Sequence, residues 1–122
     1  MVRTVLVVDD EAQMRRVLRA SLTVHGYDVV EASSGEEALE TLNDKPCDLV
    51  LLDLNLPGID GIDTCRAIRA NSGVPVIVVS IRDSEKDRTA ADAAGANGYV
   101  TKPFSVDTIL SRIQVLSRTG EG

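Results

Sequence analysis

The stretch Asp48–Gly58, DLVLLDLNLPG, constrains the fold more than any other part of the chain. Its apolar run, Leu49 to Leu52, shows no polar alternation, the pattern of a strand covered on both faces as in parallel α/β sheets. Pro57-Gly58 stops the strand, so the carboxylate of Asp53 is delivered to its carboxyl end. In open α/β sheets ligands bind at that edge, which makes Asp53 the first candidate for chemistry.

The rest of the chain repeats this plan. Thr4 to Val8 is apolar and ends in Asp9-Asp10-Glu11; Met14, Val17, Leu18 and Leu22 then recur at helical spacing until His25-Gly26. Tyr27 to Glu31 reads as a second strand. Ser34 with Glu37 has the form of a capping box, and Ala38, Leu39 and Leu42 give the following helix its apolar face before Pro46 closes it. After the Asp48–Asp53 strand, Ile62, Cys65 and Ile68 line a helix ending near Asn71-Ser72-Gly73. Val76 to Val79 is a fourth strand stopping at Ser80. Ser84 to Ala94 is a helix rich in Ala and charge, without a large apolar side chain, and such a helix anchors weakly. Gly98 to Thr101 is a fifth strand. Beyond Lys102-Pro103, the residues Val106, Ile109, Leu110, Ile113 and Leu116 make the most amphipathic helix, and Ser117 to Gly122 read as a frayed end or the start of a linker.

Five strands alternating with five helices predict right-handed crossovers and a parallel sheet with helices on both faces. The strand order expected is 2-1-3-4-5, the flavodoxin-like arrangement. A chain of 122 residues with 43% hydrophobic residues is one domain with an ordinary core. Residues 1–118 are assigned to the domain and 119–122 to a tail or the start of a linker. Thirteen Lys and Arg against nineteen Asp and Glu give a net charge of -6, which argues against a nonspecific nucleic-acid or anionic-membrane surface. Tyr27, Tyr99 and Phe104 are too few aromatics for a base-stacking platform. The sequence has no run of about 20 apolar residues and no signal-peptide pattern, so a cytoplasmic location is expected. Cys47 and Cys65 lack metal-ligand spacing and read as reduced, mostly buried thiols.

In the expected topology, the carboxyl ends of strands one, three, four and five open on one edge. They carry Asp9-Asp10, Asp53, Ser80 and Lys102. Three gathered carboxylates raise one another's pKa unless a cation neutralises them. Mg²⁺ suits such a place, because it takes oxygen ligands at about 2.0–2.1 Å and is usually held by one or two carboxylates plus a phosphate. The set fits phosphoryl transfer, whose catalysis is mostly positioning and charge stabilisation. Asp53 is then the nucleophile forming an acyl phosphate, with Lys102 and the Ser80 hydroxyl on phosphoryl oxygens. Asp10 is the direct metal ligand, Asp9 acts directly or through water, and Asn55 contributes its backbone carbonyl.

The chain resembles bacterial response-regulator receiver domains, the CheY-like family, from VLVVDDE through LLDLNLPGIDG and VPVIVVS to GYVTKPFS. The resemblance covers essentially the whole sequence. It implies a phospho-acceptor signalling domain rather than an enzyme with an external substrate: a partner histidine kinase phosphorylates Asp53 with Mg²⁺, for which Mn²⁺ can substitute. It also implies a switch in which Ser80 moves toward the phosphate and Tyr99 turns inward, and a cis Lys102-Pro103 bond. The Ala-rich fourth helix then gains a meaning, since a weakly held element can have two arrangements that phosphate biases. The output surface expected is the fourth helix, fifth strand and fifth helix.

KPFS resembles receivers of the winged-helix transcription-factor class, and RRVLRASLTVHGY resembles regulators of bacterial potassium-pump operons. That class implies transcriptional output and a homodimer through the output surface, with DNA contacted by another domain. Here Asn97, Gly98 and Thr108 stand where the class carries acidic residues, so Arg88 and Arg112 lack their usual inter-subunit partners.

Each site residue also has a plain structural reading. Asp9 and Asp10 can be helix caps worth about 1 kcal/mol, Ser80 a turn residue, Lys102 a solvated charge and Tyr99 a core aromatic. Together these readings require four coincidences at one sheet edge. Asp53-x-Asn55 also resembles the opening of an EF-hand loop, but Pro57 and Thr64 stand where ligands belong. His25 reads as a helix C-terminal cap rather than a phosphate carrier. Two rival functions are weaker. A phosphohydrolase with an Asp nucleophile usually needs a second acid two residues on, where this chain has Asn55, and a nucleotide or flavin module lacks its glycine-rich motif.

Overall fold

The computed structural model describes residues 2–120, with side chains as far as Ser117. Five strands, β1 (Thr4–Val8), β2 (Asp28–Ala32), β3 (Leu49–Leu52), β4 (Val76–Ser80) and β5 (Gly98–Thr101), alternate with five helices. These are α1 (Ala12–Val24), α2 (Gly35–Asp44), α3 (Gly61–Asn71), α4 (Glu85–Ala93) and α5 (Val106–Gly120). The sheet has the order β2-β1-β3-β4-β5 and each pair is parallel. This is the flavodoxin-like arrangement expected from the alternation of apolar runs.

Every residue of β3 and β4 is buried, as unbroken apolar runs require in a sheet covered on both faces. Alternate residues feed two cores. Leu6, Val8, Val50, Leu52, Val76 and Val78 pack with α2, α3 and α4. Val5, Val7, Leu49, Leu51, Ile77 and Val79 pack with α1 and α5. The period of two along each strand thus assigns side chains to opposite layers.

Local signals set most helix ends. Asp60 caps α3 and Ser84 caps α4, each side chain accepting a first-turn N–H. Ser34 caps α2 as its motif predicts, accepting from the Glu37 N–H at 3.1 Å. The return arm differs. Glu37 accepts from the N–H of Ser33, one residue before the cap, at 2.5 Å. His25 ends α1 as expected, its N–H donating to the Leu22 carbonyl at 3.0 Å. The strand after it starts at Asp28 rather than Tyr27, because the Tyr27 N–H closes back on Leu22 O and is unavailable to the ladder. Helix α5 runs through Gly120, beyond the expected onset of fraying at Ser117, whose hydroxyl accepts from the Val2 N–H at 3.0 Å. Residues 121–122 of the assigned tail lie outside the described residues. Cys47 and Cys65 are both free, the first half-buried and the second buried, and burial pushes both thiols up.

Candidate functional site

Register brings the acidic residues together. Val8 lies opposite Leu52 in the β1–β3 ladder, so the next residue of each strand, Asp9 and Asp53, emerges side by side at the carboxyl edge. The Asp53 N–H donates to the Val8 carbonyl at 3.0 Å, which extends the pairing to the site itself. One carboxylate oxygen from each of Asp9, Asp10 and Asp53 falls within 4.8 Å of the others. Asp9 and Asp53 are buried and Asp10 is exposed, so the cluster has a buried floor and one side open to solvent.

Lys102, delivered by the end of β5, completes the group. Its Nζ lies 2.8 Å from Asp9 Oδ2 and 3.3 Å from Asp53 Oδ2. The Lys102–Pro103 peptide bond is cis. Burial pushes the Asp53 carboxyl above its usual range; the Lys102 charge and the Asn55 N–H oppose this, and the charge of Asp9 adds to it. Burial alone would lower Lys102, but hydrogen bonding to Asp9 and the charges of Asp53 and Asp9 outweigh it and hold the ammonium above its ordinary value. Three carboxylates and one ammonium leave a formal charge of -2, which a hard divalent cation with oxygen ligands fits in both charge and donor type.

The helix-cap reading of the acidic pair is not what the fold realises. Glu11 occupies the cap of α1 and makes no side-chain capping bond. Asp9 Oδ1 instead accepts the Glu11 N–H at 2.9 Å, a turn that leaves Oδ2 on Lys102. Asn55 is exposed, and its N–H donates to Asp53 Oδ1 at 3.2 Å.

Ser80 is fully buried at the end of β4, where its hydroxyl accepts the Arg82 N–H at 3.1 Å. Tyr99 packs against the α2–α3–α4 core, and its hydroxyl donates to the Arg82 carbonyl. The guanidinium of Arg88 lies 4.6 Å from the centre of the Tyr99 ring, with Nη2 donating to Thr101 Oγ1 at 2.8 Å. The side chain of Arg82 turns to Asp87 at 2.9 Å and to Asp60 at 3.9 Å. Both candidate switch residues therefore bond to the backbone of one residue in the β4–α4 loop.

Sequence reading missed several contributors. Gly61 starts α3 so close to the site that a Cβ would stand 2.4 Å from Leu54 Cα and 2.5 Å from the Asp53 carbonyl oxygen. Arg15 donates from Nη1 to the Asp9 carbonyl at 2.7 Å. The spacing of Arg15 and Arg19, one helical turn apart, was the available signal for a common partner on β2.

The fold and the edge cluster define an acidic-pocket α/β domain, and comparison with known proteins identifies its class. The response regulator receiver domain model matches residues 5–114, and the chain belongs to that family. It is 47% identical over 114 residues to the transcriptional regulatory protein KdpE of Mycobacterium tuberculosis, covering 93% of this chain and 50% of that protein. It is 41% identical over 114 residues to ResD of Bacillus subtilis, covering 93% and 48%. The chain thus spans about half the length of these relatives. Among solved structures, the chemotaxis protein CheY4 of Vibrio cholerae is 30% identical with a TM-score of 0.89, covering 94% of this chain and 98% of that one. The BeF3-activated N-terminal receiver domain of Klebsiella pneumoniae RstA has the same identity and TM-score, with 93% and 97% covered. Among the described residues no helix is long and apolar enough to cross a membrane.

Proposed function

We propose that this receiver domain accepts a phosphoryl group on Asp53 from the phosphohistidine of a sensor kinase and uses it to change the face formed by α4, β5 and α5. The observation that carries the reading is the convergence of Asp9, Asp10 and Asp53 within 4.8 Å, with Lys102 bridging two of them.

In this account an Asp53 carboxylate oxygen attacks phosphorus in line with the departing imidazole nitrogen. The P–N bond breaks as the P–O bond forms. Asp9, Asp10, Asp53 and the backbone carbonyl of Asn55 would hold Mg²⁺, which would supply neutralising charge for the phosphoryl oxygens. Lys102 stands beside Asp53 already charged, so it meets the incoming negative charge without needing a proton. Ser80 accepts from the Arg82 amide and keeps its own proton, which is available for a phosphoryl oxygen.

Movement of Ser80 toward the phosphate disturbs its bond to the Arg82 amide, and the Arg82 carbonyl is where the Tyr99 hydroxyl is held. That backbone path supports a coupling between Asp53 and the output face. Arg88, stacked on Tyr99, lies within the same face. Two features support transcriptional output through a domain beyond this chain: the likeness to the transcriptional regulatory protein KdpE, and coverage of only half of it. A homodimer through α4, β5 and α5 has to form without acidic partners at Asn97, Gly98 and Thr108.

Intact mass spectrometry after incubation with acetyl phosphate tests the reading. One phosphoryl adduct that requires Mg²⁺ and is absent from Asp53→Asn is the expected result. No adduct in excess donor would make the domain a binding module rather than a phospho-acceptor.

A further inference from the structure

The acidic pair is held from behind by a side chain that does not enter the site. Arg15 spans two acceptors on different elements: Nη1 donates to the Asp9 carbonyl at 2.7 Å and Nε to Glu31 Oε1 on β2 at 3.1 Å. Arg19 takes the other oxygen of Glu31 at 2.5 Å. The contact to Asp9 is made at the residue whose carboxylate also meets Lys102 and the Glu11 N–H. Asp9 is thereby bonded at its main chain and at both carboxylate oxygens.

We infer that Arg15 is a positioning residue for the metal site: its guanidinium fixes the backbone at Asp9 and so sets where the Asp9 and Asp10 carboxylates meet Asp53. The inference rests on the Mg²⁺ reading above. A planar guanidinium has donors in a fixed fork, so one end on Glu31 determines where the other holds the β1–α1 turn. Glu31 also offsets part of the Arg15 charge, its carboxylate being shared with Arg19. Groups that orient ligands from behind commonly govern metal affinity as strongly as some ligands do.

The sign of the effect separates positioning from charge. If Arg15 acted only as a nearby positive charge, its removal would tighten binding of a divalent cation. If it positions Asp9 and Asp10, its removal weakens binding.

The test is the dissociation constant for Mn²⁺, from the electron paramagnetic resonance signal of the free ion, with Mg²⁺ as competitor. The proteins compared are the wild type, Arg15→Ala, Arg15→Lys and Arg19→Ala. Arg15→Ala should weaken Mn²⁺ binding about tenfold. Arg15→Lys should recover part of that loss, because one ammonium reaches the Asp9 carbonyl or Glu31 but does not fix both. Arg19→Ala, which shares Glu31 but not Asp9, should bind as the wild type does. Should Arg15→Ala fail to fold, Arg15→Lys against Arg19→Ala carries the same comparison.

Unchanged or tighter binding in the Arg15 variants, or equal weakening in Arg19→Ala, overturns the positioning role while the metal site stands. Absence of binding in the wild type overturns the metal reading, and the inference falls with it.

Discussion

Helices α3 and α4 lie on the same side of the sheet and are held in opposite ways. Helix α3 buries Ile62, Thr64, Cys65 and Ile68, and begins at Gly61, where the backbone of Leu54 leaves no room for a side chain. Helix α4 buries Ala91 alone within its length. Its first turn is fixed by polar contacts, Ser84 capping the Asp87 N–H and Arg82 reaching Asp87. Each polar contact of that kind contributes little against solvent, whereas α3 is secured by apolar area. Helix α3 packs under the strand that presents Asp53, and the loosely held α4 borders the loop that the proposed function makes responsive to it. On that reading, holding the charge cluster and responding to it are divided between neighbours.

The largest effect that would break this contrast is in α3. Ile68→Ala empties a fully enclosed site and should cost about 3 kcal/mol of global stability in denaturant unfolding. A loss comparable to a surface substitution would mean that α3 is not the rigid partner. Gly61→Ala places a methyl against backbone atoms that cannot move independently of Asp53, and should cost about 2 kcal/mol. It should also slow phosphoryl acceptance from acetyl phosphate; full retention of that rate would separate the α3 start from the site.

Helix α4 sharpens the comparison from the other side. Ser84→Ala removes a cap worth about 1 kcal/mol, and the loss should appear as faster amide exchange confined to α4. The global unfolding midpoint should barely move, because α4 can open locally.

The smallest effect concerns the Arg15–Glu31–Arg19 group, outside both helices. The hydrogen bond from Arg19 lowers the Glu31 carboxyl against the opposing effect of its burial, with Arg15 contributing further, to below its ordinary value near 4.5. A carboxylate lowered on folding stabilises the native state above the unfolded pKa, and that contribution is lost as pH falls through the folded one. Glu31→Gln should therefore cost about 0.5 kcal/mol at pH 7, shrinking below about pH 4. A difference that grows on acidification would reverse the assignment.

Much of the fold was legible because its signals are local. An apolar run without alternation marks a doubly covered strand whatever surrounds it, and each run here ends where a polar residue begins. Asp9, Asp53, Ser80 and Lys102 could be placed on one edge once the strand order was inferred, since parallel strands share their carboxyl ends. What stayed hidden depends on distances between elements. Gly61 reads as an ordinary helix start until α3 is seen lying against the end of β3. Arg15 reads as a solvated helix charge until the β1–α1 turn folds back over it. The same holds for Arg82, whose partners are Asp60 at the cap of α3 and Asp87 in α4.

The central claim is that a phosphoryl group on Asp53 acts on the loosely held neighbour and not on the rigid one. Hydrogen–deuterium exchange with Mg²⁺ and acetyl phosphate, beside an Asp53→Asn control, measures this directly. The account predicts altered exchange across residues 81–101, covering the β4–α4 loop, α4 and β5, with residues 61–71 of α3 unchanged and the control unresponsive. Exchange that does not change in α4 and β5 on phosphorylation, or that changes equally in α3, would contradict it.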